Sequence, residues 1–399
     1  MFSRIRLGDV LTIKHGFAFP GSGFVEDTSL PTLVTPGNFA VGGGFKQAKT
    51  KTFLGEYPAE FELHEGQLIV SMTDLSKEGV TLGLPAVIPG DRKYLHNQRI
   101  GLVRITDPTR IDPGFLHYFF RTAEYRAHVL ATASGSTVRH TSPSRISDFV
   151  AYLPQLDAQR AIAEVLAALD DKIAANLGMG SAGLSLAHLL FRKEVDGFPE
   201  CAMSSVLTPI LGGTPSRGRD EYWAGSRPWA SAKDVTGATL GVIFNTEEQI
   251  TDRAVSETKA KPLQAGGVIL TARGTVGAVA RVAQSTSFNQ SCYGFAPGLI
   301  PAAALYFVVL ECTEKARAMV HGSVFDTITM RTFDHLRIPS LTAAEWVQLE
   351  ARIEPLLSLA NAMVEESLQL AQLRDALLPG LMSGKIRVKD AERVAGEAI

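Results

Sequence analysis

Gly66-Gln67-Leu68-Ile69-Val70-Ser71 and Gly267-Val268-Ile269-Leu270-Thr271 carry the same message twice: a glycine turn, then a short apolar β-branched run of the kind that forms a strand buried on both faces. Around this pair other features recur in the same order. Val10-Leu11-Thr12 matches Val206-Leu207-Thr208, each ahead of a Gly-rich turn segment, and Asn97-Gln98 matches Asn289-Gln290. Gly135-Ser136 then matches Gly322-Ser323, and Leu153-Pro154 matches Ile338-Pro339. The separation between matching positions runs from 196 and 200 at the front down to 185 at the two prolines, so the two halves have gained and lost residues since a duplication. Copies this long are domains rather than solenoid repeats.

Residues 1–155 and 197–341 read as short strands broken by Gly, Pro, Asn and Asp, with a helix late in each, near Pro113 to Leu130 and Pro301 to Val320. Each is expected to be an α+β domain. The stretches between differ in kind. From Asp157 to Val195 the apolar residues Ile162, Leu166, Leu169, Ile173 and Leu177 fall three or four apart, and Leu349, Ile353, Leu356, Ala360 and Met363 do the same within Thr342 to Leu381. A helix of about 38 residues is roughly 57 Å long at ~1.5 Å per residue. That exceeds the need of one core, so the two helices are expected to pack on each other, the alternative being an ordinary core helix in each domain. Gly178, Gly180 and Gly183 are expected to weaken the first helix, and Pro355 to kink or restart the second.

The chain has 399 residues, 45% hydrophobic and 20% charged, which suits two ordinary domains with connectors and is far from a disordered composition. A formal charge of −2 argues against indiscriminate nucleic-acid binding. By region, the acidic excess lies in the helical stretches, while residues 1–155 and 197–341 are each slightly basic. Cys201, Cys292 and Cys312 are odd in number and irregular in spacing, so they read as small buried hydrophobes rather than a disulfide framework or zinc knuckle. The longest apolar run, Leu299 to Leu310, is too short to cross a bilayer and the first residues lack a leader pattern, so a cytoplasmic chain without membrane contact is expected.

Several chemistries lack their motifs. There is no Gly-x-x-x-x-Gly-Lys-Ser/Thr loop, since Gly380 to Lys385 is one residue short and without the hydroxyl. Phe19-Pro20-Gly21-Ser22-Gly23 fits a methyl-donor loop, yet no Asn/Asp-Pro-Pro-Tyr/Phe element accompanies it, and it reads as a turn. Asp252 with Glu257-Thr258-Lys259 reads as a surface loop rather than a nuclease cluster around a hard cation. The histidines are scattered, and no Gly-x-Ser-x-Gly elbow is present. Neither catalytic residues nor a metal site are expected.

Gly212-Gly213-Thr214-Pro215-Ser216-Arg217, Glu221-Tyr222-Trp223 and Pro228-Trp229-Ala230-Ser231-Ala232-Lys233-Asp234 strongly resemble the target-recognition domain of type I restriction-modification specificity subunits. Ser71-Met72-Thr73-Asp74-Leu75 with Tyr94-Leu95-His96-Asn97-Gln98-Arg99 looks like the same family. Leu153-Pro154-Gln155-Leu156-Asp157-Ala158-Gln159-Arg160 resembles the lead-in to its spacer helix. The second lead-in, Pro339-Ser340-Leu341-Thr342-Ala343-Ala344-Glu345-Trp346, lacks the Gln that the family carries. The resemblance implies an α+β fold of two pseudo-twofold-related target-recognition domains joined by two long helices packed as an antiparallel coiled coil. The segments would be domain 1 at 1–155, helix 1 at 156–196, domain 2 at 197–341, helix 2 at 342–385, and a C-terminal tail at 386–399. It further implies a non-catalytic subunit that reads a bipartite asymmetric site in double-stranded DNA. Two methyltransferase subunits would dock on it, and through them restriction/translocase subunits, with S-adenosylmethionine, ATP and Mg2+ held by those partners.

Reading bases in the major groove takes fixed donors and acceptors, with Arg suited to guanine and Asn or Gln to adenine. The candidates for base or phosphate contact are Thr73, Asn97, Gln98, Arg99, Arg139 and His140 in the first domain, and Arg217, Lys233, Arg273, Asn289 and Gln290 in the second. Two other readings stay open: the Asn-Gln amides satisfy turn backbone groups, and the arginines are solvated or paired surface charges. Tyr222 and Trp223 read as core aromatics rather than stacking platforms.

Overall fold

The two strands that mark the sequence repeat, Leu68–Ser71 and Val268–Thr271, are buried along their whole length and lie inside matching sheets. The computed structural model describes residues 2–47, 51–319 and 327–399. In the first half the strand order is Leu11–His15, Ile100–Ile105, Leu68–Ser71, Pro85–Val87, antiparallel throughout. In the second half it is Ile210–Leu211, Cys292–Phe295, Val268–Thr271, Val279–Val282, again antiparallel, with Val242–Ile243 added in parallel at one edge. A parallel pair in a further sheet also recurs: Thr32–Val34 beside Tyr94–His96, and Trp223–Ala230 beside Ser287–Phe288. Common topology is the structural trace of the duplication. Of the repeated features, Gly322-Ser323 lies outside the described residues, as does Val320 at the expected end of the later helix.

The first and last strands of each half pair with one another, Phe2–Arg6 with Val150–Pro154 and Glu200–Ala202 with Arg337–Pro339. The chain therefore enters and leaves each sheet assembly side by side. The long helices, Leu156–Val195 and Ala343–Met382, begin at these exits and are each 40 residues long. The helix expected over Pro113 to Leu130 is broken into Pro113–Phe119 and Ala123–Ala131. Thr122 is extended at the start of the second piece and its hydroxyl donates to the Phe119 carbonyl, a local bond that competes with helix continuation. The later helix, Ala302–Met319, runs unbroken. The expected tail at 386–399 contains a helix, Val388–Ala398, which buries Ala391 and Ala395.

Packing divides the chain into two compact units, Met1–Lys172 with Leu370–Ile399, and Ile173–Gln369. The boundaries fall within the long helices, so each sheet assembly keeps the adjoining parts of both. In the second unit Glu194 pairs with Arg352 at 2.6 Å, Gly183 lies against Leu356, and Gly180 against Ala360 and Met363. Rising numbers on one helix meet falling numbers on the other, so the two run antiparallel there.

The glycines are not a weakness in this seam. A Cβ on Gly180 would stand 2.7 Å from Leu240 and 3.3 Å from Met363, so glycine permits the close approach that offsets its poor helix propensity; Gly178 is exposed and touches nothing within 4 Å. Pro355 neither breaks nor restarts its helix. It lies on the exposed side, as does Ala351, whose carbonyl loses its helical donor and is open to water.

Each unit fastens its sheets to its helix segments through buried polar groups. In the first unit, Asp170 accepts a hydrogen bond from the Tyr118 hydroxyl at 2.9 Å and pairs with Arg121 at 3.6 Å and with Arg374 of the second helix. In the second, Arg281 is buried against the Tyr306 ring, 4.3 Å from its centroid, and donates to Asn361 at 3.0 Å and to the Leu240 carbonyl. Glu350 accepts from the Ala303 and Ala304 amides at 2.9 Å each, capping the N-terminus of Ala302–Met319. Removing one partner of such a buried pair costs more than the pair itself contributes. Asp170→Asn leaves the Arg121 guanidinium buried without a counter-charge. It is expected to lower the unfolding free energy of its unit by about 3 kcal/mol in urea denaturation, whereas Asp171→Asn on the exposed side changes it by less than about 0.5 kcal/mol.

Candidate nucleic-acid interface

The site is built where a glycine lets two backbone segments cross. A Cβ on Gly16 would lie 2.1 Å from the Asn97 carbonyl oxygen, and one on Gly212 the same distance from that of Asn289; no other residue type fits at either crossing. Phe17 donates to the His96 carbonyl and Gln98 to the Phe17 carbonyl, while Gly213 donates to Phe288 and Asn289 to Ala230. Both Asn-Gln turns are thereby presented at the end of a sheet by the same device.

The two amides of each turn do different work. The Asn97 Oδ1 accepts from the Arg99 amide at 3.3 Å, and the Asn289 Oδ1 from the Ser291 amide at 3.1 Å. The asparagine oxygens thus satisfy turn backbone, in line with the first of the two open readings. Gln98 and Arg99 are exposed and their side chains have no partner among the described residues. The Gln290 oxygen accepts from the Thr214 hydroxyl.

Backbone bonds bring the other first-domain candidates to this turn. Met72 donates to the Arg99 carbonyl, Thr141 donates to the Met72 carbonyl, and Thr73-Asp74 pairs antiparallel with Arg139-His140. Thr73 is buried, its hydroxyl 3.2 Å from the His140 Nδ1, and Arg139 donates to the Lys77 carbonyl. Asp74 organises the loop beyond, accepting from the amide and hydroxyl of Ser76 and of Thr81. Burial pushes its carboxyl up, but these hydrogen bonds outweigh burial and hold it below the usual range.

The second domain repeats the scaffold with other side chains. Ala272 donates to the Ser291 carbonyl and Ile328 to the Ala272 carbonyl, so Arg273 stands where Thr73 stands, but exposed and unpartnered among the described residues. Arg217 and Lys233 are already paired. Arg217 makes a bidentate contact with Glu248 over the Trp223 ring, 3.8 Å from its centroid, and Lys233 meets Glu247 at 2.7 Å. Tyr222 is buried, whereas Trp223 is partly open beneath Arg217, which departs from its expected place in the core. Asp252 is taken by Arg227, and Glu257 by Arg253 and the Tyr222 hydroxyl.

A cavity of about 400 Å3 opens beside the first turn, lined by Phe19, Phe24, Leu33, Lys51, Leu75 and Asn97 to Arg99 together with Thr35, Pro36 and Gly37. Its lining contains two cations and no carboxylate, whereas each of four other cavities includes at least one acid. Lys51 and Leu75 were not among the sequence candidates. Lys51 gave no signal, but Leu75, an apolar residue inside the polar run after Ser71, could have drawn attention.

A duplicated α+β body that presents free amide and guanidinium donors at an acid-free cavity is chemically suited to meet a polyanion. The model of the type I restriction modification DNA specificity domain matches residues 2–178 and 204–340, and the chain belongs to that family. A type I restriction enzyme specificity subunit of Methanocaldococcus jannaschii, MjaIX, is 28% identical over 157 residues, a stretch spanning 39% of this chain and 35% of that relative. The crystal structure of a type I restriction-modification S subunit from M. genitalium shares the fold, with a TM-score of 0.56 at 12% identity over 96% of both chains.

The turn rests on His96, which is fully buried and bonds the Ile100 carbonyl through Nε2 at 2.8 Å while its Nδ1 finds no partner. Burial pushes its pKa down to about 4, and neighbouring Lys14, His15 and Arg104 add to the effect. The folded state therefore holds His96 neutral where the unfolded chain binds a proton. Its contribution is present above about pH 6.5 and is lost as pH falls toward 4. Urea unfolding of the native chain is expected to lose stability faster than that of His96→Gln below pH 6.5, by up to about 1.4 kcal/mol per pH unit.

Proposed function

We propose that this chain is the DNA-reading, non-catalytic subunit of a type I restriction-modification enzyme, each sheet assembly reading one half of a split asymmetric site. The observation that carries the reading is the acid-free cavity with the Gln98 and Arg99 side chains unpartnered among the described residues and Lys51 set over the Phe24 ring beside them. An Arg and a Gln with free planar donors can recognise guanine and adenine edges, and a nearby Lys neutralises phosphate. The second half offers Arg273 and the amide of Gln290. Its Arg217 and Lys233 need the release of Glu248 and Glu247 before they can meet phosphate.

Methylation and cleavage belong to partners on this reading: methyltransferase subunits, two of them, holding S-adenosylmethionine, and restriction/translocase subunits using ATP and Mg2+, all in the cytoplasm where the DNA lies. Between Lys172 and Arg192 the first long helix carries no Asp, Glu, Lys or Arg, while Met179, Leu186 and Leu189 are 53%, 49% and 64% exposed. By length and composition this helix could cross a membrane; in a DNA-reading protein, a neutral apolar face calls instead for a helical partner. The methyltransferase is the partner that supplies one.

Arg99→Ala, assayed in the assembly with methyltransferase, is expected to weaken binding to the cognate duplex about tenfold or more. Methylation mapping should show relaxed choice at one half-site only; unchanged affinity and mapping would remove this turn from the interface. Leu189→Glu is expected to abolish co-purification with the methyltransferase while leaving the melting of the isolated chain unchanged, because the residue is exposed.

A further inference from the structure

The loop that follows Thr73 carries a feature that hydrogen-bonding readout does not use. Leu75 is 66% exposed, in a loop held on both sides by side-chain hydrogen bonds. Asp74 takes four hydrogen bonds from Ser76 and Thr81, and Arg126 donates to the Gly79 and Val80 carbonyls on the far side of the loop. A lone exposed leucine is ordinary on a protein surface; this one is set apart by lining the cavity that carries two cations and no carboxylate. The tip shares its cavity with Gln98, Arg99 and Lys51, where charge complementarity selects a polyanion.

The same position separates the two repeats. Leu68–Ser71 matches Val268–Thr271, and Met72 and Ala272 make the same pair of backbone bonds. Thr73-Asp74-Leu75 therefore corresponds to Arg273-Gly274-Thr275. The scaffold beneath is common, so readers of two different half-sites must differ in side chains carried at such tips.

Only one base-edge group in the major groove is apolar, the C5-methyl of thymine. Resting on the DNA-reading function above, we propose that Leu75 determines specificity by packing on a thymine methyl in the half-site read by the first domain, beside the bases contacted by Gln98 and Arg99. In the second domain the matching positions carry Arg273 and Thr275 in place of Thr73 and Leu75.

The test uses the full chain assembled with its methyltransferase and duplexes bearing the site found by methylation mapping. Each thymine of the half-site that responds to Arg99→Ala is replaced in turn by deoxyuridine, which removes the methyl alone. One replacement is expected to weaken binding about fourfold, the worth of one buried methyl group. Leu75→Ala should weaken binding to the thymine duplex and show no further loss with deoxyuridine at that position. A half-site without thymine, no deoxyuridine effect, or an effect of the same size in Leu75→Ala would each overturn the proposal. Loss of methyltransferase assembly in Leu75→Ala would overturn it too, assigning the tip to a protein contact. Absence of salt-sensitive binding to every mapped site would instead remove the DNA-reading function itself.

Discussion

Asp170 is the charge on which the first unit depends. It sits on the first long helix and is shared by Arg121 and Tyr118 of the sheet-bearing body and by Arg374 of the second long helix. Three separate stretches of chain are tied to one carboxylate, and His117, also in contact with Arg121, is kept neutral by burial and by that cation. Burying these groups costs solvation free energy that hydrophobic packing alone would not require. What the arrangement supplies is direction, since an ion pair with fixed donors accepts one orientation of sheets on helices where an apolar contact accepts several.

The second unit meets the same need with other residues. A buried cation, Arg281, reaches from its sheet to Asn361 of the helix, while Glu350 of the helix caps the amides that open Ala302–Met319. Duplication preserved the strand order but not the fastening, as expected if any buried polar contact of fixed geometry serves. Gly180 of the first long helix fits the same constraint: a Cβ there would stand 3.3 Å from Met363, so glycine lets the second helix pack closely at that point of the seam.

Electrostatics divides the two sheet assemblies. The first domain leaves Gln98, Arg99 and Lys51 at an acid-free cavity, whereas the second holds Arg217 and Lys233 against glutamates. An exposed ion pair is worth about 0–1 kcal/mol, so a phosphate can displace it at small cost. The second sheet assembly thus presents less free positive charge than the first, in keeping with a chain whose formal charge is −2.

The duplication, the α+β character of both halves, the two long helices and the family were all legible in the order of residues. These rest on local periodicity and on short strings such as Gly212-Gly213-Thr214-Pro215 that backbone geometry requires. The turns that matter were legible too, because a Gly-rich segment and an Asn-Gln pair recur in the same order in both halves. Which side chains on those turns are free emerges from the folded chain alone. Asn97 and Gln98 are adjacent and chemically alike, yet one spends its oxygen on the backbone two residues on and the other faces solvent. Arg99 and Arg217 look equivalent as residues, and only the approach of Glu248, 31 positions from Arg217, tells them apart. Lys51 joins the site from a strand far from the turn in sequence. Availability for binding depends on what lies opposite in space, and that is a property of contacts between distant segments which no local pattern records.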